Sequence, residues 1–362
     1  MIHDIEKPVG IIEGAPPEWA SDVLALAIRN LNIPYVTLNP GASFRGLHDS
    51  LVNYLGNKHP KILLCLHEEH AVAIAHGYAK VAEKPLAAIL HSNVGLMHGS
   101  MAIFNAFCDR VPVLVLGATG PVDSDKRRPW IDWIHTAQDQ AGLIRNFIKW
   151  DDQPGSVNAA VESIYRSFKI ANTAPKGPVY ICFDVSLQEQ KLEEEIFLPE
   201  PKRFIETGSQ APDRESIIKA VKLLNKSKNL LMLVGRSSKK DKSWFERIDL
   251  AERLNASVVT DRKMGSSFPT SHSLHVLPPL HFLSENEIEL FRSADVILSL
   301  DWIDLAGTLF QVWPDKNVIP KVINISLDVF AHNGWSMDYQ GLPPTDINIL
   351  CEPDNAVPIL LN

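Results

Sequence analysis

Short apolar runs at residues 34–38, 62–66, 86–90, 111–116 and 179–183 alternate with stretches of helical periodicity at 19–31, 44–55, 69–82, 99–107, 137–144 and 157–171. A run of four to six apolar residues is too short for a core helix. Where it lacks polar alternation, it suits a strand buried on both faces. Repeated strand–helix alternation predicts parallel strands covered by helices, an open doubly wound α/β sheet. Ligands in such sheets bind beyond the carboxyl ends of the strands. That places attention on Asn39-Pro40-Gly41-Ala42-Ser43, His67-Glu68, His91-Ser92-Asn93 and Gly117-Ala118-Thr119, each following a run.

Residues 187–213 break the pattern: they are rich in Glu, Lys, Pro and Gln with little periodicity, and read as a linker. A second α/β unit follows, with helices expected at 216–224 and 244–254 and strands at 230–234, 257–260, 296–300 and 322–325. Residues 357–361 read as the opening of a further helix. A chain of 362 residues is too long for one hydrophobic core. The fold class is thus α/β with two doubly wound, mainly parallel-sheet domains: 1–190, a linker at 191–212, and 213–362.

Composition excludes several classes of function. The net charge of -8, without a dense basic block, argues against a nucleic-acid partner. No window approaches the apolar length of a membrane span, and the opening MIHDIEKPVG lacks a secretory apolar core, so a cytoplasmic protein is expected. Cys65, Cys108, Cys182 and Cys351 lie far apart and suit reduced core thiols. No G-x-G-x-x-G occurs, which disfavours a nicotinamide or flavin protein. His67 and His70 frame Glu68 and Glu69 as HEEH, one residue short of the zincin spacing, so no metal ligand is expected here.

Glu68 and Glu69 stand where a strand run gives way to a helical pattern. A carboxylate there is ordinarily a cap that complements the helix dipole, and this is the reading for Glu69. Glu68 is set apart by the segments around it. Taken in order, Asn39-Pro40-Gly41-Ala42, Leu66-His67-Glu68 with Gly77-Tyr78-Ala79, Leu90-His91-Ser92 with Gly95, and Gly177-Pro178-Val179 with Asp184-Val185 resemble thiamine-diphosphate-dependent 2-keto-acid enzymes. These are the benzoylformate decarboxylase and acetohydroxyacid synthase group. The resemblance covers residues 10–190 by motif and 205–362 by layout alone.

It implies that Glu68 is the activating acid, whose carboxyl hydrogen-bonds the cofactor's aminopyrimidine and whose pKa is raised in an apolar cleft. It implies a catalytic His91, able to carry a proton near neutral pH. Pro40, Gly41, Asn93 and Gly95 would join Glu68 around thiamine diphosphate, and Ala42, Ser43, His91 and Gln138 would face a 2-keto acid. Ala42 stands where the decarboxylase has a substrate-contacting serine, so Ser43 has two readings, substrate contact or a cap. Met97 and His98 could shape the pocket, with Met97 equally suited to core. Arg127-Arg128 could draw an anionic substrate or be solvated surface.

The family's diphosphate-binding domain, with G-D-G and Mg²⁺, has no counterpart in these residues. The resemblance therefore implies the pyrimidine end of the cofactor only, with Mg²⁺ on a missing domain or a partner chain. It also implies a homo-oligomer, at least a dimer, for which helices 69–82 and 99–107 are candidate contacts. His91 favours decarboxylase or lyase chemistry over acetolactate-type ligation. A non-catalytic binding or regulatory relic is the competing class.

Overall fold

The computed structural model describes residues 7–9, 14–279, 282–330 and 341–362. These divide into two units, at Thr207–Gly208.

The first unit contains α1 (Ala20–Asn30), β1 (Tyr35–Leu38), α2 (Arg45–Asp49), β2 (Lys61–Leu64), α3 (Glu68–Ala82), β3 (Ala87–Ile89), α4 (Ser92–Cys108), β4 (Leu114–Thr119), β5 (Asp151–Asp152), α5 (Val157–Asn172) and β6 (Val179–Asp184). Short helices α6 (Val185–Gln188) and α7 (Lys202–Ile205) follow. The sheet runs β2-β1-β3-β4-β6-β5, and every pairing is parallel. From β1 the chain first adds β2 on one side and then β3 on the other, so a topological switch point lies between β1 and β3.

The central strands β3, β4 and most of β6 are buried throughout, as their unbroken apolar sequence requires. β2 is an edge strand and stops at Leu64, so the expected strand to residue 66 is too long. Leu66 is 96% exposed and supplies no apolar wall to the site. The expected helix at 137–144 is also absent; only a 3₁₀ turn at Ala141–Leu143 forms. At 44–55 the chain makes a 3₁₀ turn, α2 and a π-helical turn (Ser50–Tyr54), not one helix. α4 begins seven residues before the expected start, because Ser92–Met97 carries polar residues that hide its periodicity. Much of the expected linker is packed: Leu192, Ile196, Leu198 and Ile205 rest on the first core.

The second unit comprises α8 (Arg214–Leu224), β7 (Leu230–Val234), α9 (Asp241–Leu254), β8 (Ser257–Thr260), α10 (Glu285–Ser293), β9 (Val296–Leu300), α11 (Leu305–Val312), β10 (Lys321–Ile325), β11 (Ile347–Ile349) and α12 (Pro353–Leu361). Its parallel sheet runs β11-β10-β9-β7-β8, with a switch point between β7 and β9. Gly235 follows β7 because nothing larger fits. A Cβ there would stand 2.1 Å from the Asp301 carbonyl oxygen. No helix among the described residues is long and apolar enough to cross a membrane.

Candidate active site

The loops after β1 and β3 and the start of α3 converge at the first switch point. The Thr37 hydroxyl, on β1, donates to the Ala71 carbonyl at 2.8 Å, fixing the first turn of α3 beside the strand end. Gly99 lets α4 close onto the same layer: a Cβ would reach Leu90 Cδ1 at 2.9 Å and Val72 Cγ2 at 3.5 Å. Asp109, just past α4, accepts from Lys80 at 2.5 Å and lies 3.0 Å from His76 Nε2, both on α3.

Neither glutamate caps α3. The N-cap is His67, whose Nδ1 accepts the Glu69 amide at 3.1 Å. Glu68 is thereby released from capping and is 5% exposed, while Glu69 points to solvent. Burial pushes the Glu68 carboxyl up, but bonds from the Asn39 side chain, its own backbone amide and His98 hold it below its ordinary value. The raised pKa expected from an apolar cleft is therefore not found. The cleft carries polar partners that the local sequence does not reveal, since Asn39 and His98 come from other elements.

His91 stands 2.8 Å, through Nδ1, from Ser43 Oγ, which also accepts the Ser92 amide at 3.1 Å. Ser43 is thus a remote cap for α4. Ser92 is buried with φ of 34°, a left-handed conformation that costs a non-glycine residue about 1–3 kcal/mol. The His135 ring lies 4.8 Å from the His91 ring. Burial pushes the His91 imidazole below its ordinary value and His135 adds to the shift, while Glu68 opposes it. Two glycines make this proximity possible. A Cβ on Gly41 would meet His91 Cγ at 2.4 Å, and one on Gly95 would come within 3.1 Å of Glu68 Oε1 and 3.3 Å of His91 Cβ. Gly95 leaves room at the carboxylate edge.

Of the expected site residues, Glu68, His91, Gly41, Ser43 and Gly95 are brought together. Asn93 is half-buried and its Oδ1 accepts from the Ser92 hydroxyl at 3.3 Å. Pro40 and Ala42 are exposed in the loop after β1, and Gln138 is exposed in the segment after β4. In that segment it is Gln140 that is buried, donating to the Ala118 carbonyl and Tyr180 hydroxyl. Met97 is exposed, not core. Arg128 is engaged with buried Asp132 at 2.7 Å, and Arg127 donates to the Pro121 and Val122 carbonyls. His135 is a site residue that sequence reasoning misses. No spacing signal marks it, because a long irregular segment carries it back to the sheet.

The thiamine pyrophosphate enzyme N-terminal TPP-binding domain matches residues 18–143, and the central domain of the same family matches 217–332. The chain belongs to the thiamine pyrophosphate enzyme family. Among its relatives, the acetolactate synthase large subunit of Corynebacterium glutamicum is 28% identical over 74% of this chain and 42% of its own length. Sulfoacetaldehyde acetyltransferase of Rhodobacter capsulatus is 22% identical over 71% of this chain and 43% of its own length. The chain thus spans less than half the length of these relatives. The crystal structure of benzoylformate decarboxylase from Polynucleobacter necessarius shares the fold with a TM-score of 0.75 at 19% identity, over 95% of this chain and 61% of that one. The residues fit the aminopyrimidine end of the family's cofactor. A buried carboxylate with space kept beside Oε1 by a glycine suits a flat nitrogen heterocycle.

Proposed function

We propose that this chain is the cofactor-activating portion of a thiamine-diphosphate-dependent enzyme that cleaves a carbon–carbon bond beside the keto group of a 2-keto acid, in the manner of benzoylformate decarboxylase. The observation that carries the reading is the burial of Glu68 beside Gly95, with His91 across the same glycine. When bound, thiamine diphosphate supplies the carbon nucleophile and the electron sink. Glu68, ionised before the cofactor arrives because its polar partners hold it below its ordinary value, would share a proton at its carboxyl edge with a ring nitrogen of the aminopyrimidine. Burial of Glu68 keeps bulk water from the carboxyl, while Gly95 leaves space at its edge. His91 carries a proton to or from the reacting substrate through Nε2, its Nδ1 being held by Ser43.

The diphosphate and its Mg²⁺ are assigned in this reading to a domain other than these two, and the subunit to a homo-oligomer of at least two copies. Ile74 and Val81 of α3 and Met97 and Met101 of α4 are exposed apolar residues that suit such a contact. Acetolactate-type ligation is the second reading. It draws on the 28% identity to an acetolactate synthase, and His91 speaks against it.

The test is Glu68→Gln in the enzyme completed by a diphosphate-binding partner. Proton exchange at the thiazolium carbon should slow by orders of magnitude with the fold intact. Unchanged exchange would refute the assigned role.

A further inference from the structure

The cofactor reading leaves unassigned the imidazoles around Glu68. His67 precedes it at the N-cap of α3, and His98 reaches over from the second turn of α4. One donor atom from each of His67, Glu68 and His98 lies within 4.8 Å of the other two. The His67 and His98 rings are stacked at 5.0 Å with 21° between their planes, and His98 Nδ1 is 3.4 Å from Glu68 Oε2.

We propose that His67, Glu68 and His98 form a site for a transition-metal dication, zinc above all. Two imidazoles and one carboxylate are a donor set that zinc takes while keeping a fourth position open. Imidazole favours zinc, copper and nickel over magnesium and calcium, so this is a different ion from the family's Mg²⁺. Zinc bonds of about 2.0–2.2 Å place tetrahedral donors roughly 3.4 Å apart, so the three must close by up to about 1.4 Å. His98 can supply the movement, since its side chain is 53% exposed, while Glu68 is fixed by burial and acts as the anchor. Ligation by His67 disturbs its bond to the Glu69 amide. Binding through Nδ1 displaces that bond, and binding through Nε2 moves the imidazole proton onto Nδ1. The HEEH spacing argues against a metal only because it considers one helix. The third donor arrives from α4, thirty residues along the chain.

The inference goes beyond the cofactor reading: zinc and the aminopyrimidine would compete for the Glu68 carboxylate, so the ion belongs to the cofactor-free chain and is measured without thiamine diphosphate. Titrating the chain with zinc chloride in a calorimeter should give one ion per chain. Cobalt(II) substitution should give the intense visible bands of a four-coordinate ion. His98→Ala and Glu68→Gln, each checked for fold by circular dichroism, should weaken zinc binding by at least about tenfold. His272→Ala, which removes a histidine paired with Glu252 in the second unit, should leave it unchanged. Zinc affinity unaltered by His98→Ala, equal loss in His272→Ala, or a six-coordinate cobalt spectrum would each overturn the site.

Discussion

Ser43 Oγ and His91 Nδ1 are 2.8 Å apart, and that one contact joins the loop after β1 to the loop after β3 across the switch point. Ser43 Oγ already accepts the Ser92 amide at 3.1 Å, so its own proton is available to Nδ1. A hydroxyl that donates to Nδ1 favours the neutral His91 tautomer with its proton on Nε2.

Ser43→Ala removes the acceptor for a buried amide and the partner of a buried imidazole. An unpaired buried donor costs about 1–3 kcal/mol, so denaturant unfolding should show a loss of that size. Nitrogen-15 NMR of the imidazole should show the Nδ1 tautomer gaining population. Wild-type stability together with an unchanged tautomer would mean that the contact does no orienting.

His91 should titrate below its ordinary value of 6.5, since burial and His135 both disfavour the charged ring. Across the window between the folded value and 6.5, the unfolded chain binds more protons than the native one. The His91 contribution to stability is therefore complete above 6.5 and falls as pH drops through that window. His135→Ala removes the neighbouring imidazole and opens the site, and should raise the His91 midpoint in a proton NMR titration. A midpoint that stays put would deny the coupling.

Gly41→Ala should displace His91 while sparing the sheet. The added Cβ would overlap the imidazole at Cγ, 2.4 Å away, so the ring or the loop after β1 has to move. Gly155→Ala, whose Cβ meets nothing within 4 Å, is the matched control. The expected result is a shifted His91 resonance and reduced activity of the completed enzyme for Gly41→Ala alone. Equal behaviour of the two variants would show that the close approach is not needed.

The cysteines should be inert in the native protein. All four are buried and unbridged, and burial pushes Cys182 and Cys351 up to about 12. The thiolate is the reactive form, so a thiol reagent at pH 8 should label the native chain slowly and rapidly after denaturation. Fast native labelling would mean that one of these cores opens readily.

The alternation of apolar runs with helical stretches was enough, by itself, to determine two parallel-sheet units. A strand covered on both faces has little polar choice left to make, and β3 and β7, apolar and buried throughout, show it. The ordered motifs also placed Glu68 and His91 at strand ends, because a strand's carboxyl end follows directly from where its apolar run stops. What surrounds those two residues was decided only in three dimensions. Asn39 and His98 hold the Glu68 carboxyl down, and His135 reaches His91 from an irregular segment. Leu66, apolar and adjacent in sequence, ends in solvent because β2 lies at the sheet's edge. Periodicity reports which side of an element is buried, whereas proximity across elements depends on strand order and on glycines that let backbones meet. Neither leaves a mark on local spacing.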